Sequence, residues 1–528
     1  MTVDVLSPKL DSNGVVADII PVVAPAGRAL FPPEFSPAKH GVRTLKQMRD
    51  KPTSLDRYIF LNVLKERDPK LFYQLLLSNM PLLNIHEPMG EACVNYSHIW
   101  RRPEGLYISL RDKGRIEQIL RRWPGGTNAR IAVVTDGSRI LGLGDLGANG
   151  LPIAIGKLDL YIAGAGIRPA STLPICLDLG TNTQRYLDDP LYLGLKQHRP
   201  GGTEMDEFMD EFMRAMSTVF PDLLVQFEDF STDNAFRYLE RYRNKYRIQG
   251  TGSVILSGFI NAASIASAAS GLPLSEHRIL FFGAGSAGIG VAKQLLAFFK
   301  AQGLDEETAR QRIWTVDSKG LIVAGRPGLQ EHKHYFARSD YSGRPLTDLV
   351  DIIDYVKPTA LLGLSTIQGA FNKAVVERMT KINKRPIVFP LSNPVDLCEV
   401  TFPDAVEWSN GKVVFASGSP YKSLTFKEQK YEPGQGNNMY IFPALGLGTI
   451  VSRSKHVTDG MVEAAAIALA ESLTSEEQTN GLVYPRLERI REGVDAAPAL
   501  RELSDETLLA FIKSKMWTPE GGFDTSRL

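Results

Sequence analysis

Arg278-Ile279-Leu280-Phe281-Phe282-Gly283-Ala284-Gly285-Ser286-Ala287-Gly288 is an apolar run that breaks into a glycine turn, and the residues after it, Ile289 to Phe299, are apolar at helical spacing. Strand, glycine turn and helix in that order are the context in which a backbone can approach a pyrophosphate closely. Gly283, Gly285 and Gly288 permit the turn, and the phosphate charge rests on free N–H groups from Ser286 onward at the positive end of the helix dipole. Glycine turns also serve simple packing, so the motif gains weight from the next strand. That strand, Ile313 to Val316, ends in Asp317, where an acidic residue accepts hydrogen bonds from the adenosine ribose hydroxyls. Lys319 and Arg326 come after that Asp and could instead pair with a 2′-phosphate, so NAD and NADP both stay open.

Further strands are expected at Ala360 to Leu364, Ile387 to Pro390 and Val413 to Ala416, which makes residues 249–437 a Rossmann-type unit opening on a helix of small residues. Upstream, Ile131 to Thr135 and Leu160 to Ala163 are short apolar runs that end in glycine, the texture of a second parallel sheet over 121–248. Residues 41–120 carry helical periodicity, as at Leu55, Tyr58, Ile59 and Val63. Residues 438–505 are read as the second part of the first sheet's domain, 506–528 as a helical tail and 1–40 as a flexible leader. The fold class is α/β: a helical N-terminal domain, a discontinuous parallel-sheet substrate domain and an inserted dinucleotide-binding domain.

The 528 residues exceed what one core organises, and 60 basic against 59 acidic side chains give a net charge of +1. That balance leaves no field to attract nucleic acid or an anionic membrane, so anions are bound locally. Val254 to Ala269, among the longest apolar stretches, is too short and too interrupted to span a bilayer. Cys93, Cys176 and Cys398 are too scattered for a zinc site or a disulfide framework, which fits a reducing compartment. The N-terminus lacks signal-peptide and transit-peptide character, and the expected location is cytoplasmic.

Two further clusters carry chemistry. Asp136-Gly137-Ser138-Arg139-Ile140-Leu141-Gly142-Leu143-Gly144-Asp145-Leu146-Gly147 is followed by Gly156-Lys157; Arg139 offers a planar fork for a carboxylate, and Lys157 is a candidate base. Taken alone, such residues are more often surface charge. Gln226-Phe227-Glu228-Asp229-Phe230 sets adjacent carboxylates at the end of an apolar run, which suits Mg²⁺ or Mn²⁺ but also suits a solvated helix start.

These two clusters, with Leu177-Asp178-Leu179-Gly180-Thr181-Asn182, Asn234-Ala235-Phe236, Ser392-Asn393-Pro394 and Pro433-Gly434-Gln435-Gly436-Asn437-Asn438, closely resemble in order the signatures of the malic enzyme family, from about Leu55 to Leu503. The resemblance implies oxidative decarboxylation of malate, or a related 2-hydroxy acid, to pyruvate, or the matching keto acid, and CO2, with reduction of NAD or NADP. It implies that Arg139 holds the substrate carboxylate, that Lys157 removes the hydroxyl proton, and that Glu228 and Asp229 ligate Mg²⁺ or Mn²⁺. Asn393 and Asn438 would position substrate and nicotinamide. A homo-oligomer, dimer or tetramer, is also implied.

The chain departs from the family pattern twice. The segment before Gly90 reads Leu83-Asn84-Ile85-His86-Glu87-Pro88-Met89, and no Tyr stands between Tyr73 and Tyr96, where the family carries its acid. His86 or Glu87 could supply a proton; a rearranged loop without that role is the simpler reading. In Asn244-Lys245-Tyr246-Arg247-Ile248-Gln249-Gly250-Thr251 the two Asp that precede Ile-Gln-Gly-Thr in the family are missing, which weakens the metal site, and Arg247 is expected to oppose the cation. A shifted splice boundary, a divergent hydroxy-acid dehydrogenase and a non-catalytic, nucleotide-binding subunit each account for these changes.

Overall fold

The computed structural model describes residues 40–78, 86–249, 254–393, 395–486, 489 and 511–519. Residues 1–39 of the expected leader, residues 83–85 of the altered stretch 83–89, Gly250 and Thr251, and most of the expected tail lie outside the described residues.

The first sheet holds β1 (Leu106–Ser109), β2 (Ile131–Thr135), β3 (Thr172–Asp178), β4 (Leu224–Phe227) and β5 (Ile248–Gln249) in the order β1-β3-β2-β4-β5, all parallel. Along β2 the side chains alternate between two cores. Ile131 and Val133 join Leu151, Ala154 and Leu158, while Ala132 and Val134 join Phe208, Phe212 and Met216. Both faces are covered by helices, as an all-parallel sheet requires. The strand β1 falls inside the stretch expected to be helical: its four residues are too few to show a period, and they pair with β3 at the sheet edge.

Leu160 to Ala163, expected as a strand, lies in the helix Leu151–Ala165. Every residue of that helix is buried, so it has no polar face and shows no 3.6-residue period to read. Gly166, in the left-handed region at φ 62°, closes it.

The second sheet contains β6 (Ile279–Phe282), β7 (Ile313–Asp317), β8 (Gly320–Leu321), β9 (Ala360–Gly363), β10 (Ile387–Pro390) and β11 (Val414–Ser417), and after the hairpin β12 (Leu424–Phe426) and β13 (Gln429–Tyr431) it gains β14 (Gly434–Gln435). Its order is β14-β11-β10-β9-β6-β7-β8, with only β8 antiparallel. β6 lies between β7 and β9, so the strand order reverses there and a crevice opens at the carboxyl ends of β6 and β9. Beyond 438, the helix Phe442–Val451 packs on Leu151–Ala165 through Phe442 and Tyr161, whose ring centroids are 4.8 Å apart. The helix Asp459–Glu471 packs on Val254–Ser270. Residues 511–515 are helical, and Trp517 N–H donates to the Gly166 carbonyl at 2.6 Å. No helix among the described residues is long and apolar enough to cross a membrane.

Candidate active site

Glu228 and Asp229 follow β4 directly, and the helix Leu151–Ala165 brings Lys157 to them. Lys157 Nζ is 3.1 Å from Glu228 Oε1, with both side chains almost fully buried. The other Glu228 oxygen accepts from Gln226 Nε2 at 2.6 Å, and Tyr161 Oη donates to Gln226 Oε1. Lys157 Nζ also sits 5.0 Å from the centre of the Phe442 ring. Asp229 has φ 56°, a strained left-handed conformation, and its Oδ2 accepts from Leu141 N–H at 3.1 Å. Burial first, then the negative Glu228, pushes the Asp229 carboxyl up to about 7.

The loop carrying Arg139 is clamped by Arg199, which forms two hydrogen bonds to Asp145, at 3.0 and 2.8 Å, and one to the Asp136 carbonyl at 2.9 Å. Arg139 itself is exposed, and its N–H donates to the Asp229 carbonyl at 3.2 Å. Gly142 is where this loop meets the second sheet. A Cβ there would stand 2.6 Å from the Asn393 carbonyl and 2.7 Å from Leu397 Cδ1, with Thr366 Cγ2 at 3.6 Å. The Asn393 side chain accepts from Ser419 Oγ at 2.5 Å. Asn438 opens a short 3-10 turn capped by the side chain of Asn437. The structure therefore gathers Lys157, Glu228, Asp229 and the Arg139 loop, and brings that loop onto Asn393.

At the glycine turn, Gly283 has φ 115° and a Cβ there would stand 2.4 Å from the Leu364 carbonyl, so the approach of β6 to β9 requires glycine. At Gly285 a Cβ would meet nothing within 4 Å, and Gly285 precedes the helix Ser286–Ala301, which has no side-chain cap. Open space beside the orphan N–H groups of a first helical turn fits a pyrophosphate. Asp317 is engaged by Arg326 and by Lys333 Nζ at 2.9 Å. Burial alone would raise its carboxyl, but Lys333 and Arg326 outweigh burial and hold it below the usual carboxylate range.

For a divalent cation, no group of three His, Cys, Asp or Glu side chains is assembled among the described residues. The adjacent pair still fits one: Mg²⁺ is commonly held by one or two carboxylates, and a cation there would offset the burial and the Glu228 charge that raise Asp229. Arg247 does not oppose this site, contrary to expectation. Its Nη1 donates to the Asp222 carbonyl at 2.6 Å, and its own carbonyl accepts from Val225 at the start of β4. Glu228 lies past the far end of that strand, roughly 13 Å along at 3.3 Å per residue.

A family model described as the malic enzyme N-terminal domain matches residues 65–243, and one described as the malic enzyme NAD binding domain matches 248–498. An NADP-dependent malic enzyme of Dictyostelium discoideum is 47% identical over 88% of this chain and 86% of its own length. The chain belongs to the malic enzyme family. A chloroplastic NADP-dependent malic enzyme of Flaveria pringlei is 42% identical, covering 93% of this chain and 79% of its own. The solved malic enzyme of Entamoeba histolytica shares the fold, with a TM-score of 0.55 at 20% identity over 94% of this chain and 83% of its own. That of Pyrococcus horikoshii does so with a TM-score of 0.52 at 22% identity, over 76% of this chain and 84% of its own.

Several residues that shape the candidate site carry little signal in the sequence. Tyr161 and Gln226 hold the second oxygen of Glu228, Arg199 clamps the loop, and Lys333 joins Arg326 on Asp317. Gln226 stands in the same motif as Glu228, and its alternation with Glu228 along one strand was the available signal. Arg199 and Lys333 carry no local signature.

Proposed function

We propose that this chain oxidises L-malate at C2 and decarboxylates it to pyruvate and CO2, with NADP⁺ as the hydride acceptor. The observation that carries the reading is the buried Lys157 beside Glu228 and Asp229, next to the Arg139 loop, whose Gly142 packs on Asn393 of the dinucleotide domain. Arg139 binds a substrate carboxylate through its planar fork. Lys157 takes the C2 hydroxyl proton while the C2 hydride passes to the nicotinamide. The bond between C3 and the departing carboxylate then breaks, its electrons moving to the C2 oxygen as CO2 leaves, and a proton added at C3 completes pyruvate. Glu228 and Asp229 would hold a divalent cation, Mg²⁺ or Mn²⁺, which when bound would supply positive charge at the site. Asn393 and Asn438 orient substrate and nicotinamide. Gly283, Gly285, Ser286 and Gly288 cradle the pyrophosphate.

NADP is favoured over NAD because Asp317 is already engaged by Arg326 and Lys333, which together carry one positive charge more than it neutralises. The excess suits a 2′-phosphate. A homo-oligomer is supported by exposed Trp100, Leu191 and Leu193, whose loops meet where Leu193 N–H donates to Ser97 Oγ at 3.1 Å. A cytoplasmic location is supported by three cysteines that are buried and unpaired.

The second reading, a dinucleotide-binding subunit without turnover, draws on the missing Tyr before Gly90 and on a Lys157 that occupies an oxygen of Glu228. Purified protein given L-malate, Mn²⁺ and either nucleotide separates the two. Faster reduction of NADP⁺ than of NAD⁺ is expected; nucleotide bound but never reduced would favour the second reading.

A further inference from the structure

Glu399 is completely buried, and among the described residues its side chain contacts hydrogen-bond donors rather than a cation. Its Oε1 accepts from Ser365 N–H at 2.9 Å, Ser365 Oγ at 2.9 Å and Ser392 Oγ at 2.5 Å, and its Oε2 accepts from Ser392 N–H at 3.4 Å. Ser365 and Ser392 belong to different loops, one after β9 and one after β10. The contact is close enough that a Cβ on Gly363 would stand 2.5 Å from Glu399 Cδ.

The two loops are those that face the first domain. Ser392 Oγ also accepts from Thr366 N–H at 2.9 Å, and Thr366 is held at φ 57°, a conformation a β-branched residue adopts only under constraint. Asn393 follows Ser392, and Gly142 packs against both Asn393 and Thr366. In an open α/β sheet the carboxyl ends of these strands receive the dinucleotide across the switch point. One buried carboxylate thus ties together the backbone on which Asn393 and Thr366 ride.

We propose that Glu399 is a positioning residue that fixes the loops after β9 and β10 so that Asn393 and Thr366 present a rigid seat to the nicotinamide half of the cofactor; the catalytic part of this inference rests on the malate-oxidising reading above. Glutamine in its place keeps one acceptor oxygen but turns an amide N–H₂ toward a backbone donor, so either Ser392 N–H or Ser365 N–H loses its acceptor. The seat loosens while the adenosine half of the site, around Asp317 and Lys333, is left alone.

The test compares wild type with Glu399→Gln and, as a milder change that removes only the shared hydroxyl, Ser392→Ala. Backbone hydrogen exchange in the full-length protein without substrate should show residues 364–367 and 391–393 protected in wild type and exchanging at least tenfold faster in either variant. Binding of adenosine 2′,5′-bisphosphate should change less than twofold. With malate, NADP⁺ and Mn²⁺, kcat should fall at least tenfold and the isotope effect from malate deuterated at C2 should rise, with KM for NADP⁺ little changed. Unaltered exchange in both variants, or unaltered kcat in an active enzyme, would overturn the proposal. Absence of turnover in wild type would instead sink the malate reading, and the exchange data would still decide the role of Glu399 in holding the loops.

Discussion

Lys157 Nζ stands 3.1 Å from Glu228 Oε1, and Gln226 Nε2 stands 2.6 Å from the other oxygen of the same carboxylate. The lysine therefore holds the group that the proposed cation site also needs. Removing one partner of a buried ion pair costs about 3–5 kcal/mol, because the other is left uncompensated. Lys157→Met is expected to abolish turnover, to lower the melting temperature measured by calorimetry, and to gain more stability from added Mn²⁺ than wild type does. An equal response to Mn²⁺ in both proteins would contradict a cation site at Glu228 and Asp229.

Asp317 holds Arg326 and Lys333 together at the end of β7. A charge-assisted hydrogen bond to phosphate contributes about 1.5–3 kcal/mol, or roughly 10- to 100-fold in affinity. Lys333→Gln should therefore raise KM for NADP⁺ by that factor and leave KM for NAD⁺ within about threefold. Steady-state kinetics with both nucleotides checks it, and equal effects on the two would remove the 2′-phosphate assignment.

Gly142 has no room for a side chain between the Arg139 loop and Asn393, since the obstructing atom is a backbone carbonyl 2.6 Å from the Cβ position. Gly142→Val must part the two domains there. A shift of about 1 Å at a reacting centre can cost on the order of 100-fold in rate, so kcat/KM for malate should fall at least tenfold, with the circular dichroism spectrum retained.

His277 is fully buried, with Nδ1 2.9 Å from Thr359 Oγ1 and Nε2 3.0 Å from Ser267 Oγ. Burial pushes its imidazole down to about 4 from an ordinary value of 6.5. As pH falls through 6.5 the unfolded chain takes up a proton that the folded chain refuses until about 4, so stability is full above 6.5 and declines by up to about 3 kcal/mol toward pH 4. Urea midpoints at pH 7.5 and 5 should show the decline. In His277→Asn the decline between these two pH values should be smaller by about 2 kcal/mol.

What could be read from the sequence was what is local in the chain. Gly283 and Gly285 announced their turn because only glycine supplies φ 115° at the first and leaves open space at the second. The ends of β6, β9 and β10 were legible to within one residue, since apolar runs bounded by turns mark buried strands. Leu160 to Ala163 was misread as strand because burial on every side erased the helical period. Lys157 and Glu228 were paired only through a family resemblance: no spacing along the chain reveals that a helix lays one beside the other. Arg199 and Glu399 were legible to neither route, because a buried polar network exists only after the elements that carry it have packed. The consequence of Arg247 was misjudged for the same reason, since the direction of β5 sends it to the far end of the sheet from Glu228.

The central claim is that Lys157, beside Glu228 and Asp229, drives oxidative decarboxylation of malate. The most direct measurement is the product balance from L-malate, NADP⁺ and Mn²⁺, with NADPH, pyruvate and CO2 quantified together for wild type and Lys157→Ala. The account predicts equimolar NADPH, pyruvate and CO2 from wild type and none above background from the variant, which should still bind NADPH. NADPH formed without pyruvate and CO2, or equal rates in the two proteins, would contradict it.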